Sequence, residues 1–180
     1  MHLSDILIER KEYCENDGTY PHATLSKEGV DVKSQRYDRD FLVRTDDKKY
    51  KVTRLNDICY NPANLKFGVI TRNKVGTLIF SPIYVTYAIV PTYDPYYIEL
   101  ALTDSNFIKY MLKYEEGTVY ERMAVSSEDF LSETIRLPSR DKQLKFVQIM
   151  NFFSGVLITE QAIDNNLRLL KNYLISQMFI

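Results

Sequence analysis

FVQIMNFFSGVLITEQAIDNNLRLLKNYLISQM, residues 146–178, decides the architecture of this chain. Steps of three and four residues fall on Phe146, Ile149, Phe153, Val156, Glu160, Ile163, Leu167, Leu170, Leu174 and Gln177, and eight of those ten are apolar. A spacing near 3.5 residues is the a/d seam of a coiled coil. From Leu144 to Met178 such a helix runs roughly 50 Å, longer than a small domain is wide. Its seam has to be covered by a second helix, from another chain or from a further part of this one. Glu160 on the seam and Ser154-Gly155 in mid-helix weaken that pairing locally or mark a crossing point. Ser139 or Asp141 caps the helix, which places a domain boundary at 138 and a coiled-coil, dimerisation helix over 139–180.

The texture upstream is different. Leu3, Ile6, Leu7 and Arg10 to Tyr13 have helical spacing with Ser4 as N-cap, and Asn16-Asp17-Gly18 ends that segment. Short β-type runs follow at Tyr20 to Leu25, Phe41 to Arg44, Tyr50 to Thr53, Ile58 to Asn61 and Phe67 to Thr71. Gly76 to Ser81 and Ile83 to Val90 are stronger runs, separated by Pro82, which forbids one continuous strand. Asp94 to Glu116 returns to helical patterning, with Gly117 as its C′ residue. A capped turn at Ser126 to Phe130 and a last strand at Glu133 to Leu137 complete the expectation. The predicted fold class is α+β: a mixed, strand-rich domain over 1–138, then one long coiled-coil helix.

With 180 residues, 45% apolar and 26% charged, the chain has the composition of a globular domain. No apolar run approaches the 18 or more residues of a membrane span, and a cytoplasmic location is expected. Cys14 and Cys59, with His2 and His22, are too few and too scattered for a disulfide framework or a metal site. The net charge of −1 is unevenly spread. Between Lys27 and Lys74 twelve Lys/Arg stand against seven Asp/Glu, and between Pro91 and Asp141 five stand against ten. One basic face is compatible with that segregation, as is a well-mixed surface.

Signs of catalysis are missing from the sequence. Asn61-Pro62-Ala63-Asn64, Ser81-Pro82-Ile83-Tyr84 and Asp94-Pro95-Tyr96-Tyr97 resemble the Asn/Asp-Pro-Pro-Tyr/Phe signature of amino-methyltransferases, but each lacks the second proline. No Gly-rich strand-to-helix turn accompanies them to hold S-adenosylmethionine. There is no phosphate-cradling loop and no nucleophile elbow, and Cys59 reads as a small core residue. No catalytic residue and no cofactor is expected. What does stand out is a basic, polar and aromatic mixture in connecting segments: Lys27, Lys33, Arg36, Tyr37 and Arg39; Lys66, Arg72, Asn73 and Lys74; and Gly117, Tyr120 and Arg122. Arg, Asn, Lys and Tyr are residue types that hold bases and phosphates, and equally types that populate solvated loops.

Five stretches carry a resemblance to a known family. They are SDILIERKEYCENDGTYPHATLSKEGV (4–30), DICYNPANLKFGVITRN (57–73), GTLIFSPIYVTYAIV (76–90), GTVYERMAVSSEDFLSETIRLPSRDKQ (117–143) and LLKNYLISQMFI (169–180). In order and spacing they resemble one half of the specificity subunit of type I restriction-modification systems. The resemblance implies a target recognition domain that reads one part of a split double-stranded DNA site, and a spacer helix that sets the gap to the other part. It implies docking of methylation subunits, entry of restriction subunits through the complex, and no catalytic residue in the chain itself. By matching stretches it places Gly117 and Arg122 in a DNA-facing loop. Half of the family's pattern is present, so the resemblance implies a natural half-subunit, a truncation product or an isolated C-terminal half. A half is expected to form a homodimer through the helix, or to pair with a second half, and to read a symmetrical, interrupted site. The alternative is a non-catalytic coiled-coil adaptor that assembles proteins without reading DNA.

Overall fold

Turn residues cut the first 137 residues into many short strands, and long-range pairing then decides their order. The computed structural model describes residues 1–15, 17–33, 49–117 and 123–178. It divides into two units, Met1–Leu137 and Pro138–Ile180. The architecture is mixed α+β: a strand-rich first unit and a long helix in the second.

The described strands of the first unit are β1 (Leu7–Glu9), β2 (Tyr13–Cys14), β3 (Ala23–Leu25), β4 (Val30–Val32), β5 (Tyr50–Thr53), β6 (Ile58–Tyr60), β7 (Ile70–Arg72), β8 (Leu78–Phe80) and β9 (Val85–Ile89). They form an antiparallel sheet in the order β1-β9-β6-β7, a second in the order β2-β5-β8, and the hairpin β3-β4. In the first sheet Ile8 faces Ala88, and Cys59 lies between Thr86 and Thr71. One segment serves both sheets, since β1 edges the first and β2 edges the second. Helices α1 (Pro95–Thr103), α2 (Ser105–Met111) and α3 (Ser127–Ser132) cover the first sheet. Tyr60, Tyr87 and Phe130 stack beneath them with centroids 4.9–5.9 Å apart, in a core with Leu3, Ile58, Ile98 and Met111. Smaller clusters around Phe80 and around Val52 and Ile79 fill the space at the second sheet.

Four local expectations are corrected. Residues 3–13 are not a helix: a single 3-10 turn, Leu3–Asp5, is closed by the His2 N–H donating to Asp5 Oδ2 at 2.8 Å, and the chain then becomes β1 and β2. Leu3, Ile6 and Leu7 are all buried, and their spacing suits a helix face, but β1 supplies the ladder partners that edge strand β9 otherwise lacks. Phe67 opens no strand; it closes a 3-10 helix, Pro62–Phe67, and β7 begins only at Ile70. The helical stretch 94–116 breaks at Asp104, which ends α1 and caps α2 by accepting from the Asn106 and Phe107 N–H groups. Glu133 to Leu137 forms no strand beyond one bridge between His2 and Thr134. The expected strand Phe41 to Arg44 lies outside the described residues.

The second unit is α4 (Arg140–Met178), 39 residues and about 58 Å long. From Asn151 to Met178 every residue is exposed in the single chain. The predicted seam residues Phe146, Ile149, Phe153, Val156, Ile163, Leu167, Leu170 and Leu174 are each 40–59% accessible. Two features go beyond a plain seam. Between residues 146 and 158 everything except Gln148, Asn151, Ser154 and Gly155 is apolar. At 100° per residue these side chains wrap most of the helix circumference. Beyond Ile163 the seam continues through Leu167, Leu170 and Leu174, with Leu169, Tyr173 and Ile175 exposed off it and Asp164 and Arg168 paired at 2.9 Å outside it. The second feature is overall apolar length: the helix is long and apolar enough to cross a membrane by length and composition alone. Polar residues spaced among the apolar ones keep any uninterrupted apolar run short, as expected from the sequence. Gln148, Asn151, Glu160 and Gln161 would all be costly in lipid.

Candidate nucleic-acid interface

Among the basic residues singled out above, three meet on one surface of the first unit. Lys27 follows β3, Lys66 stands in the 3-10 helix and Lys74 follows β7. Together with Lys109 of α2 they line a groove of about 500 Å³, whose remaining walls include Glu28, Phe67, Gly68, Thr71, Glu99, Thr103 and Ser105. Each position has a local cause. Asn61 accepts the Ala63 N–H at 3.1 Å and Pro62 sits at the first helical position, so the 3-10 helix starts where it does. Gly68 ends it in the left-handed region at φ 78°, donating to Leu65 O at 2.8 Å. That turn leaves Phe67 outside, 62% exposed, with the Lys66 ammonium 5.6 Å from its ring centre. The capped start of α2 at Asp104 fixes Lys109 across the groove.

Two of the four ammonium groups carry internal partners. Lys66 Nζ lies 3.1 Å from Glu115, and Lys74 Nζ lies 2.7 Å from the buried Glu99. Among the described residues no carboxylate lies within ion-pair distance of Lys27 or Lys109. Glu115 also marks the neck of the loop predicted to face DNA. Glu116 and Ala124 exchange backbone bonds of 3.1 and 2.9 Å, closing that loop beside Lys66. Gly117 is exposed at its start with φ 147°. Tyr120 and Arg122, like Arg36, Tyr37 and Arg39, lie outside the described residues. Lys33 is exposed at the end of β4, where its N–H donates to His22 O at 2.8 Å, and it is not part of the groove wall.

Two predicted contacts are removed by the geometry. Asn73 is fully buried. Its amide donates to Thr53 Oγ1 and Gly76 O, while its Oδ1 accepts from the Val75 and Gly76 N–H groups. It shapes the β7–β8 turn and has nothing left to offer a base. Arg72 is held between Glu99 at 3.0 Å and Asn56 Oδ1 at 2.6 Å, and fastens α1 to the sheet. Its guanidinium is committed inside the protein.

The remaining polar clusters are also structural. Arg10 binds the buried Asp57 carboxylate with bonds of 2.7 and 2.9 Å, and that hydrogen bonding raises the Arg10 pKa. Lys51, buried in mid-strand, meets Glu9 at 3.2 Å, and Glu9 accepts from Ser127 at 2.8 Å. Burial pushes the Cys59 thiol up to about 12, so it stays protonated and inert as a nucleophile. The three proline tetrapeptides are caps and turns. Asn61 and Asp94 each cap a helix that begins with proline, and Tyr84 N–H closes a turn onto Ser81 O. Among the described residues no cluster of His, Cys, Asp and Glu could hold a metal ion.

Lys109 and Phe67 escaped the sequence reading. Lys109 sits in a helix, where the sequence alone does not say which face meets the groove. Phe67 reads as the start of a strand, although Asn61-Pro62 before it and Gly68 after it bracket a short helical turn. Comparison with protein-family models and with curated proteins finds no match for this chain.

Proposed function

We propose that the chain is a non-catalytic DNA-recognition subunit, one half of a type I restriction-modification specificity subunit, which reads one half of a bipartite duplex site. The observation that carries this proposal is the four-lysine groove with its exposed phenylalanine, on a strand-rich domain followed by a 39-residue helix with an exposed apolar stripe. Lysines at that density suit phosphates. The helix suits pairing with a second half and docking of a methylation subunit, through which a restriction subunit joins. Catalysis of methyl transfer and cleavage is assigned to those partners.

The test is selection of duplexes from a random-sequence pool, followed by binding at several salt concentrations. The expected result is a recovered half-site sequence, or two copies of it at fixed spacing, with affinity that falls steeply with salt. Lys27→Ala and Lys109→Ala should each reduce the salt slope by about one. An adaptor that reads no DNA predicts no recovered sequence and no effect of either substitution. That outcome would remove the proposal.

A further inference from the structure

Phe67 is more exposed than any other large apolar side chain described in the first unit. Scattered exposed apolar residues need no explanation, but this one is held in a definite way. It is the last residue of a capped 3-10 helix, the left-handed Gly68 turns the chain away behind it, and α2 packs against that helix. The ring therefore projects from a fixed platform, and it does so inside the groove that Lys27, Lys66, Lys74 and Lys109 line. A rigid aromatic among ammonium groups has the composition of a nucleobase contact: the cations take the phosphates and the ring takes the apolar face of a base. Glu28 and Glu99 share the groove and Lys66 and Lys74 are paired with Glu115 and Glu99, which leaves Lys27 and Lys109 as the ammonium groups open to phosphates on either side of the ring.

Resting on the DNA-recognition proposal above, we infer that Phe67 is a wedge: its ring inserts at a base step of the bound duplex while Lys27 and Lys109 hold the flanking phosphates. The ring and the lysines then contribute separable terms. Stacking depends little on salt, whereas phosphate contacts release counterions. Phe67→Ala should weaken binding roughly tenfold and leave the salt slope unchanged. The lysine substitutions should do the reverse, lowering the slope.

The chain contains no tryptophan, which provides a direct probe. Phe67→Trp introduces a single indole at the proposed contact and keeps an aromatic ring there. The experiment titrates this variant, in the full chain, with a duplex selected by the wild-type protein from a random pool. Quenched indole emission at the binding midpoint, together with retained affinity, is the expected result. Binding with unchanged emission, and a Phe67→Ala variant that binds as wild type does, overturns the wedge and leaves the function proposal intact. Failure of the wild-type chain to select any duplex overturns the function proposal, and the wedge with it. Thermal melts of both variants separate loss of contact from loss of fold; at a position this exposed both should melt within a few degrees of wild type.

Discussion

Glu133 shows how much one side chain contributes in this fold. It is 5% exposed, and burial by itself would raise its pKa. The Lys113 ammonium at 2.7 Å, the Thr134 N–H at 2.7 Å and the Tyr114 hydroxyl at 3.0 Å outweigh burial and hold the carboxyl at about 2, against an ordinary 4.5. A depressed carboxylate stabilises the fold fully above its unfolded pKa, and that contribution is lost as pH falls from about 4.5 through about 2. Glu133→Gln should therefore lower the melting temperature at pH 7, and the gap to wild type should close near pH 2. Melting curves across that range check it; a gap independent of pH would place the effect elsewhere. Asn73 gives a second prediction at the same scale. Asn73→Ala removes the bonds that shape the β7–β8 turn and should cost about 2 kcal/mol or more of stability, measured by urea unfolding, with DNA affinity unchanged once the variant is folded. From sequence Asn73 looked like a base-reading residue because Arg72-Asn73-Lys74 is a polar, basic string. Burial is set by neighbours far along the chain, and the string itself holds no record of them.

Among elements, those governed by local rules were legible and those governed by distant partners were not. The Tyr50–Thr53 strand, the Ser126-capped helix and the stop at Pro82 follow from residues in place. The segment from Leu3 to Tyr13 carries an apolar spacing compatible with helix or strand, and the unpaired edge of β9, some eighty residues away, decides between them. Phe130 joins the elements of the main core, stacking on Tyr60 and Tyr87 and meeting Phe107 edge-on. Phe130→Ala should destabilise the first unit by about 3–5 kcal/mol, read from denaturant midpoints. In α4 the seam is legible, but the apolar residues off it are not, because counting only the i, i+3, i+4 positions ignores what lies between them. Leu167 and Leu170 stand on the seam. Replacing both with Asp should abolish self-association in light scattering, since two buried charges per helix would then face a partner's leucines. A wild-type chain that scatters as a monomer at high concentration would contradict a homodimer.

At the scale of the whole molecule, the proposed function places recognition in Met1–Leu137 and assembly in Pro138–Ile180, the two units into which the chain divides. The apolar core described here lies within the first unit. Residues 1–137 should thus unfold cooperatively on their own and bind a single half-site, losing the preference for two sites at fixed spacing. Calorimetry and binding to duplexes with one or two selected half-sites would show it. If the shortened chain still required paired half-sites, the helix would not be the ruler.

Lys66 and Lys74 face Glu115 and Glu99 before any ligand arrives. A cell is crowded with RNA and other polyanions, and a cleft with all its cations idle would adhere to most of them. Under the proposed function, half of the groove's lysines stand in reserve behind the protein's own carboxylates, to be released where an incoming backbone replaces both. Such a surface trades raw grip for discernment, which favours a protein that must scan long stretches of the wrong sequence quickly and stop at few places.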